Sequence, residues 1–250
     1  DGAPVIIESL PNSGRYVDEL TGETLTPNSR LRSAQTLEAG GTVTVMITPL
    51  TELAIRRALG ATTGLGDPSI NDAMTLVARA FDTGDLRRTL PADPTAAGFG
   101  TAARGARNYG LALAGISAMT SGSSLLGVIQ DFANKGFKPD LVAGQSAAFA
   151  TALNTFLGSP RNATGLSAAT LAAQMKPALA ALPQASGVLP AIAADGSGEV
   201  VQPPVQPADG PACVITVTPG PQNLATQNWR VCVRPVAAEA CNATGMASVV

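Results

Sequence analysis

The first change of hydrophobic period along the chain falls at Thr48-Pro49. Before it the apolar positions come in short runs broken by turn residues: Val5-Ile6-Ile7, then Pro11-Asn12-Ser13-Gly14, then Thr21-Gly22. The clearest strand is expected from Thr42 to Ile47, where Val43, Val45 and Ile47 alternate with Thr42, Thr44 and Met46. Such alternation sets three branched apolar side chains on one face of a strand. Residues 1–48 therefore read as a β segment.

After Thr48 the period lengthens. Thr is a good N-cap, Pro suits the first helical position, and Glu52 puts an acid where the helix dipole favours it. A helix is expected to about Leu59, stopping before Gly60. The next opens with Asp67 as cap and Pro68 after it, and Ile70, Met74, Val77 and Phe81 fall on one stripe. Further helices are expected near 101–120 (Tyr109, Leu113, Ile116), 123–134, 140–157 (Phe149, Leu153, Phe156) and 167–182. Residues 49–184 form a helical domain on this reading. Residues 185–211, with Pro203-Pro204 and Pro207, read as a linker with limited backbone freedom. Beyond it Cys213–Thr218 and Trp229–Pro235 read as strands of a cysteine-bearing C-terminal hairpin over 212–250. The expected class is α+β, an Ala-rich helical bundle flanked by short strand segments at both termini.

Composition sharpens this picture. Charged residues are 14% of the chain, well under the roughly 25% usual for soluble domains. Residues 141–194 carry only Arg161 and Lys176. Small, weakly polar side chains permit close approach of another surface without stranding a charge. Either another molecule covers these faces or the rest of the chain does, unless the 13 Arg against 3 Lys report only a coding bias. A net charge of −2 and short, separated arginine pairs offer no surface for a phosphate backbone, so no nucleic-acid partner is expected. The uncharged run from Asn108 to Gln130 is interrupted by polar residues and is too short in its apolar part to cross a bilayer. The chain opens at Asp1 with no methionine and no signal-like segment, and reads as processed, trimmed or cut from something longer.

Chemistry is constrained most by the lack of any histidine. Triads, Cys-His dyads and most zinc sites need an imidazole, so neither catalytic residues nor a metal or cofactor are expected. Gly144-Gln145-Ser146-Ala147-Ala148 imitates a nucleophile elbow but lacks the second glycine and lies in a helical context. Asp195-Gly196-Ser197-Gly198-Glu199 lacks the ligand count of a calcium loop, and Gly64-Leu65-Gly66 has no Lys-Ser/Thr after it. Asp82, Asp85, Asp93, Asp131 and Asp140 fall near helix ends, where capping explains them better than paired acid/base work. Asn162-Ala-Thr and Asn242-Ala-Thr match a glycosylation pattern that arises often by chance.

The cysteines are the positive feature. Cys213, Cys232 and Cys241 all lie in the last forty residues, a clustering that fits a disulfide in an oxidising compartment. Cys213–Cys232 would staple two strands and Cys232–Cys241 would close a short loop. The first is preferred, and either leaves one thiol over.

Val43 to Ala54 reads VTVMITPLTELA, preceded by Tyr16-Val17-Asp18-Glu19 and Thr21-Gly22. It is followed by Leu90-Pro91, by the phrase from Asn108 to Ser117, and by Asn162 to Leu166. Over roughly 14–170 this set resembles large secreted bacterial proteins in which an immunoglobulin-like or carboxypeptidase-regulatory-like module passes through a TPLTELA phrase into an Ala-rich helical module. The resemblance implies an adhesin-like or matrix protein at the cell surface and brings no catalytic residues. The expected function is an extracellular structural or adhesive subunit that associates with copies of itself, or with other surface proteins, as fibre, matrix or surface layer through strand addition. The alternative is a monomeric module binding a glycan or host protein, with Trp229, Tyr16 and Tyr109 as its candidate aromatics. A hydrolase would have to run on carboxylates alone.

Overall fold

A computed structural model describes residues 3–37, 42–60, 65–120, 125–135 and 142–169, together with the backbone of three strands in 214–249. The architecture is α+β: among the described residues five helices pack together with the N-terminal strands, and strands from the end of the chain pair onto those. Strand β1 (Ala3–Ser9) pairs antiparallel with β4 (Leu31–Leu37), Ile6 opposite Ala34 and Glu8 opposite Arg32. Between them β2 (Tyr16–Val17) and β3 (Thr24–Leu25) form a small hairpin. Strand β5 (Thr42–Thr44) pairs in parallel with β6 (Val214–Thr216). The other side of β1 takes β7 (Trp229–Pro235), which turns back as β8 (Met246–Val249), giving the order β4-β1-β7-β8.

The first helix, α1 (Pro49–Leu59), forms where its sequence predicts. Thr51 N–H donates to the Thr48 hydroxyl, Thr48 N–H donates to the Thr51 hydroxyl, and Gly60 closes the other end. Leu50, Leu53, Ala54 and Ile55 turn inward. In α2 (Asp67–Ala80) the stripe of Ile70, Met74, Val77 and Phe81 is buried as expected. The cap differs: Gly66 is the N-cap, its N–H donating to the Ser69 hydroxyl. Asp67 lies inside the helix and accepts 2.6 Å from the Thr36 hydroxyl, tying α2 to β4. A carboxylate one step into the helix still meets the positive end of the dipole, so the two positions are hard to separate from sequence.

Strand β5 is also shorter than the expected Thr42–Ile47. Val45 and Met46 are both buried, and Met46 N–H donates to the Arg87 carbonyl at 2.8 Å. The chain leaves the alternating pattern there so that two successive side chains enter the core.

Helix α3 (Arg104–Met119) is followed by α4 (Leu125–Lys135) and α5 (Val142–Leu157). The uncharged run 108–130 is thus two helices, and among the described residues no helix is long and apolar enough to cross a membrane. Phe81, Phe132 and Phe149 meet edge to face with centroids 5.4–6.0 Å apart, knitting α2, α4 and α5 at the centre. The helix expected at 167–182 lies, beyond its first residues, outside the described part, as does the linker.

Candidate functional site

Strand β1 is the hinge between the two ends of the chain. Ile6 on one face belongs to the helical core, Ile7 on the other is fully buried, and the Glu8 carboxylate is 1% exposed. A strand buried on both faces is a central strand, and it must be paired on both edges or leave buried backbone groups unsatisfied. One edge is supplied by β4, close in sequence. The other is supplied by β7, from near the end of the chain, in the register Val5 to Pro235 and Ser9 to Val231.

The outer edge of β4 is differently managed. Glu52, buried in α1, accepts from Arg32 N–H (3.0 Å) and from the Arg32 side chain through Nε (2.9 Å) and Nη2 (2.6 Å). It also accepts from Arg56 Nε at 2.9 Å. The carboxylate therefore occupies a main-chain donor that an added strand would need. Side-chain capping of this kind is one way to blunt a sheet edge.

The β2–β3 hairpin is fastened to two helical elements. Asp18 accepts 2.7 Å from Thr21 N–H and 2.5 Å from the Ser117 hydroxyl on α3. Arg161 Nε, beyond α5, donates to the Glu19 carbonyl at 3.2 Å. Burial first, and then the neighbouring Asp18 and Asp93 carboxylates, push the Glu19 carboxyl up to about 7 against the hydrogen bonds it receives. A raised carboxyl favours its protonated form in the folded state. Its stabilising contribution is complete below about 4.5 and is lost as pH rises through about 7. With no histidine in the chain, Glu19 is expected to dominate the pH dependence of stability between pH 5 and 8. Glu19→Gln should flatten that dependence and stabilise at pH 8 by about 1–3 kcal/mol, discounted for partial exposure. Thermal unfolding at pH 5 and pH 8 checks this, and an unchanged difference in the variant would refute it.

The other candidates of the sequence reading scatter. Asp82 accepts from Arg104 and from Asn108 Nδ2 (3.0 Å), Asp85 from Arg87 N–H (2.9 Å), and Asp93 from Thr95 N–H (2.8 Å). Asp131 lies on the exposed side of α4. Asp82, Asp85 and Asp93 thus each accept from partners of their own. Tyr109 is fully buried, donating 3.1 Å to the Leu86 carbonyl and sharing 2.6 Å with the Thr48 hydroxyl. It is a core residue and not a platform, and burial pushes its phenol up. Tyr16 lies half-buried in β2. The elbow-like Gly144–Ala148 lies on α5. Asn162 Nδ2 donates 2.8 Å to both the Leu157 and the Leu166 carbonyls while Oδ1 accepts from Thr164, so Asn162-Ala-Thr is a loop lock.

Cys232 sits in β7 opposite Glu8 and Met246 in backbone register. Its side chain, Cys213, Cys241, the Trp229 side chain, Asp140, Asn242, Gly64 and 195–199 lie outside the described part. Strands β6 and β7 belong to different sheets, and the expected cysteine pairings fall outside the described residues.

Among the described residues no group of three acidic or thiol side chains could hold a metal ion. Comparison with protein-family models, curated proteins and solved structures finds no match.

Proposed function

We propose that the chain is a non-enzymatic structural or adhesive subunit of a bacterial surface or extracellular matrix, which joins copies of itself by exchanging β7–β8 onto β1 of a neighbour. The observation that carries this is the β1–β7 ladder: a central strand completed by a partner from the opposite end of the chain. The same hydrogen bonds form whether β7 comes from its own chain or another, so exchange costs no contact. Among the described elements, β6, β7 and β8 meet the body chiefly through β1 and β5, and the helices contact them marginally at most. The attachment is thus by strand edges, and residues 170–213, which include Pro203-Pro204, Pro207 and Pro211, separate it from α5. The capped β4 edge directs added strands to the β1 side.

The charge-poor faces support the same reading. Ala147, Ala148, Thr151, Asn154 and Thr155 of α5 are exposed, and both threonine hydroxyls donate to carbonyls of the helix itself. Negative-stain electron microscopy of protein purified without reductant, with sedimentation at rising concentration, should give filaments, sheets or closed oligomers. A monodisperse monomer at high concentration would overturn the proposal.

A further inference from the structure

We infer that the β2–β3 hairpin is a pH-operated latch: a proton held on Glu19 fastens it to the last turn of α3, and loss of that proton lets the hairpin lift while the rest of the body stays folded. The device does not depend on how the chain self-associates. Strands β2 and β3 pair over only two residues each, too little for a hairpin to persist unsupported in water. Its order therefore comes from what it docks on. Leu20 packs half-buried against the helical core, Asp18 bonds Ser117 of α3, and Arg161 donates to the Glu19 carbonyl. The Arg161 guanidinium also lies against Gly22 (φ +77°), where an added Cβ would stand 2.5 Å from it.

At the centre of this contact the hydrogen-bond count calls for a proton. The Ser117 hydroxyl stands between two carboxyls, Asp18 Oδ2 at 2.5 Å and that of Glu19. A hydroxyl has one proton to give and two lone pairs to receive with. When Ser117 donates to Asp18, only a protonated Glu19 can complete the other contact, as donor to the Ser117 oxygen. The surroundings favour that form. Ser117 belongs to the last turn of α3, where the helix dipole is negative and disfavours a carboxylate. Asp18 from its own turn, Asp93 from the loop before α3 and the Tyr16 phenol from β2 face Glu19, and none of them is a cation. Arg161 is one, but its bond goes to the main chain.

The direction of the response follows. Burial first, and then Asp18 and Asp93, hold the docked Glu19 carboxyl up at about 7, whereas lifting the hairpin returns it to water. Docking is therefore at full strength below about 4.5, weakens by up to about tenfold per pH unit as pH rises to about 7, and levels off above.

Hydrogen exchange of the full chain, read by mass spectrometry at pH 5, 6, 7 and 8 and corrected for intrinsic rates, tests this. Protection of residues 16–25 should fall by about tenfold or more from pH 5 to 7 and little from 7 to 8. At pH 8 the hairpin should exchange far ahead of β1 and α3, at a rate that low urea does not change, the mark of local opening. Glu19→Gln should remove the pH dependence, and Glu23→Gln, on an exposed position of the same hairpin, should leave it in place. If Gln docks poorly, the native profile and its levelling near pH 7 still decide. Protection independent of pH, exchange of the hairpin in step with β1 and α3, or a fall that survives in Glu19→Gln would overturn the latch.

Discussion

Gly110→Ala is expected to destabilise the fold by about 3 kcal/mol, a fall of roughly 6–12 °C in the unfolding midpoint for a chain of this size. Gly110 is buried in the middle of α3, where alanine is ordinarily the better helix former. Propensity therefore predicts a gain. The packing predicts the reverse: a Cβ at this position would fall well inside contact distance of the Ala92 carbonyl oxygen, with Pro94 close behind. A backbone atom cannot swing away as a side-chain tip can. Ala92 N–H is itself bonded to the Ala106 carbonyl at 2.9 Å, so moving residue 92 also strains a bond that holds the loop to α3. Gly100→Ala is the internal control, since nothing lies within 4 Å of its added methyl. Thermal or urea unfolding of the two variants decides the matter. If Gly110→Ala is no less stable than Gly100→Ala, the close approach of α3 to residue 92 is wrong.

The same helix explains a phrase that attracted notice in the sequence. Asn108 Nδ2 donates to the Asp82 carbonyl at 2.8 Å, and Tyr109 anchors the cap of α1. Gly110 admits residue 92, and Gly115 admits Phe149, whose ring would lie 2.5 Å from an added Cβ. Ser117 fastens the β2–β3 hairpin through Asp18. Each polar or glycine position of Asn108–Ser117 thus has a structural task.

What could be read from the sequence was what depends on neighbours along the chain. The Thr48-Pro49 start of α1, the stripe of α2 and the division into helices rest on caps and periodicity within a few residues. What could not be read depends on partners far apart in sequence. Glu52 looked like a dipole-complementing acid, a role that needs only its position in the first turn. Its burial between Arg32 and Arg56 needs β4 to lie against α1. Asp67 looked like a cap because Thr36, its real partner, sits 31 residues earlier. The two terminal strand runs were legible as strands, but nothing local says that β6 seeks β5 in parallel while β7 seeks β1. Register across such distances is set by the burial of whole faces.

Glu52→Ala is expected to carry the other large effect, about 3–5 kcal/mol, by stranding charges that the carboxylate now neutralises. The Arg32 and Arg56 side chains are 19% and 22% exposed and Glu52 is 1% exposed. Removing the carboxylate leaves two partly buried guanidiniums facing each other and deprives Arg32 N–H of its acceptor. The cost belongs to the broken pair and is not the net worth of the pair itself. Replacing Arg32 and Glu52 together by methionine should therefore cost less than Glu52→Ala, because one of the two stranded guanidiniums is removed with the carboxylate, while Arg56 and the residue 32 N–H still lose their acceptor. Arg56 keeps its bond to Gln130 in that background. A double variant as unstable as the single one would mean that the site is held by packing and not by charge. The substitution also touches assembly, since it uncovers the β4 edge. If the native chain self-associates as proposed, Glu52→Ala should add irregular aggregates to the regular oligomers, read as loss of soluble protein under conditions where the fold is still populated. Regular assembly without aggregation would show that Glu52 is not what guards that edge.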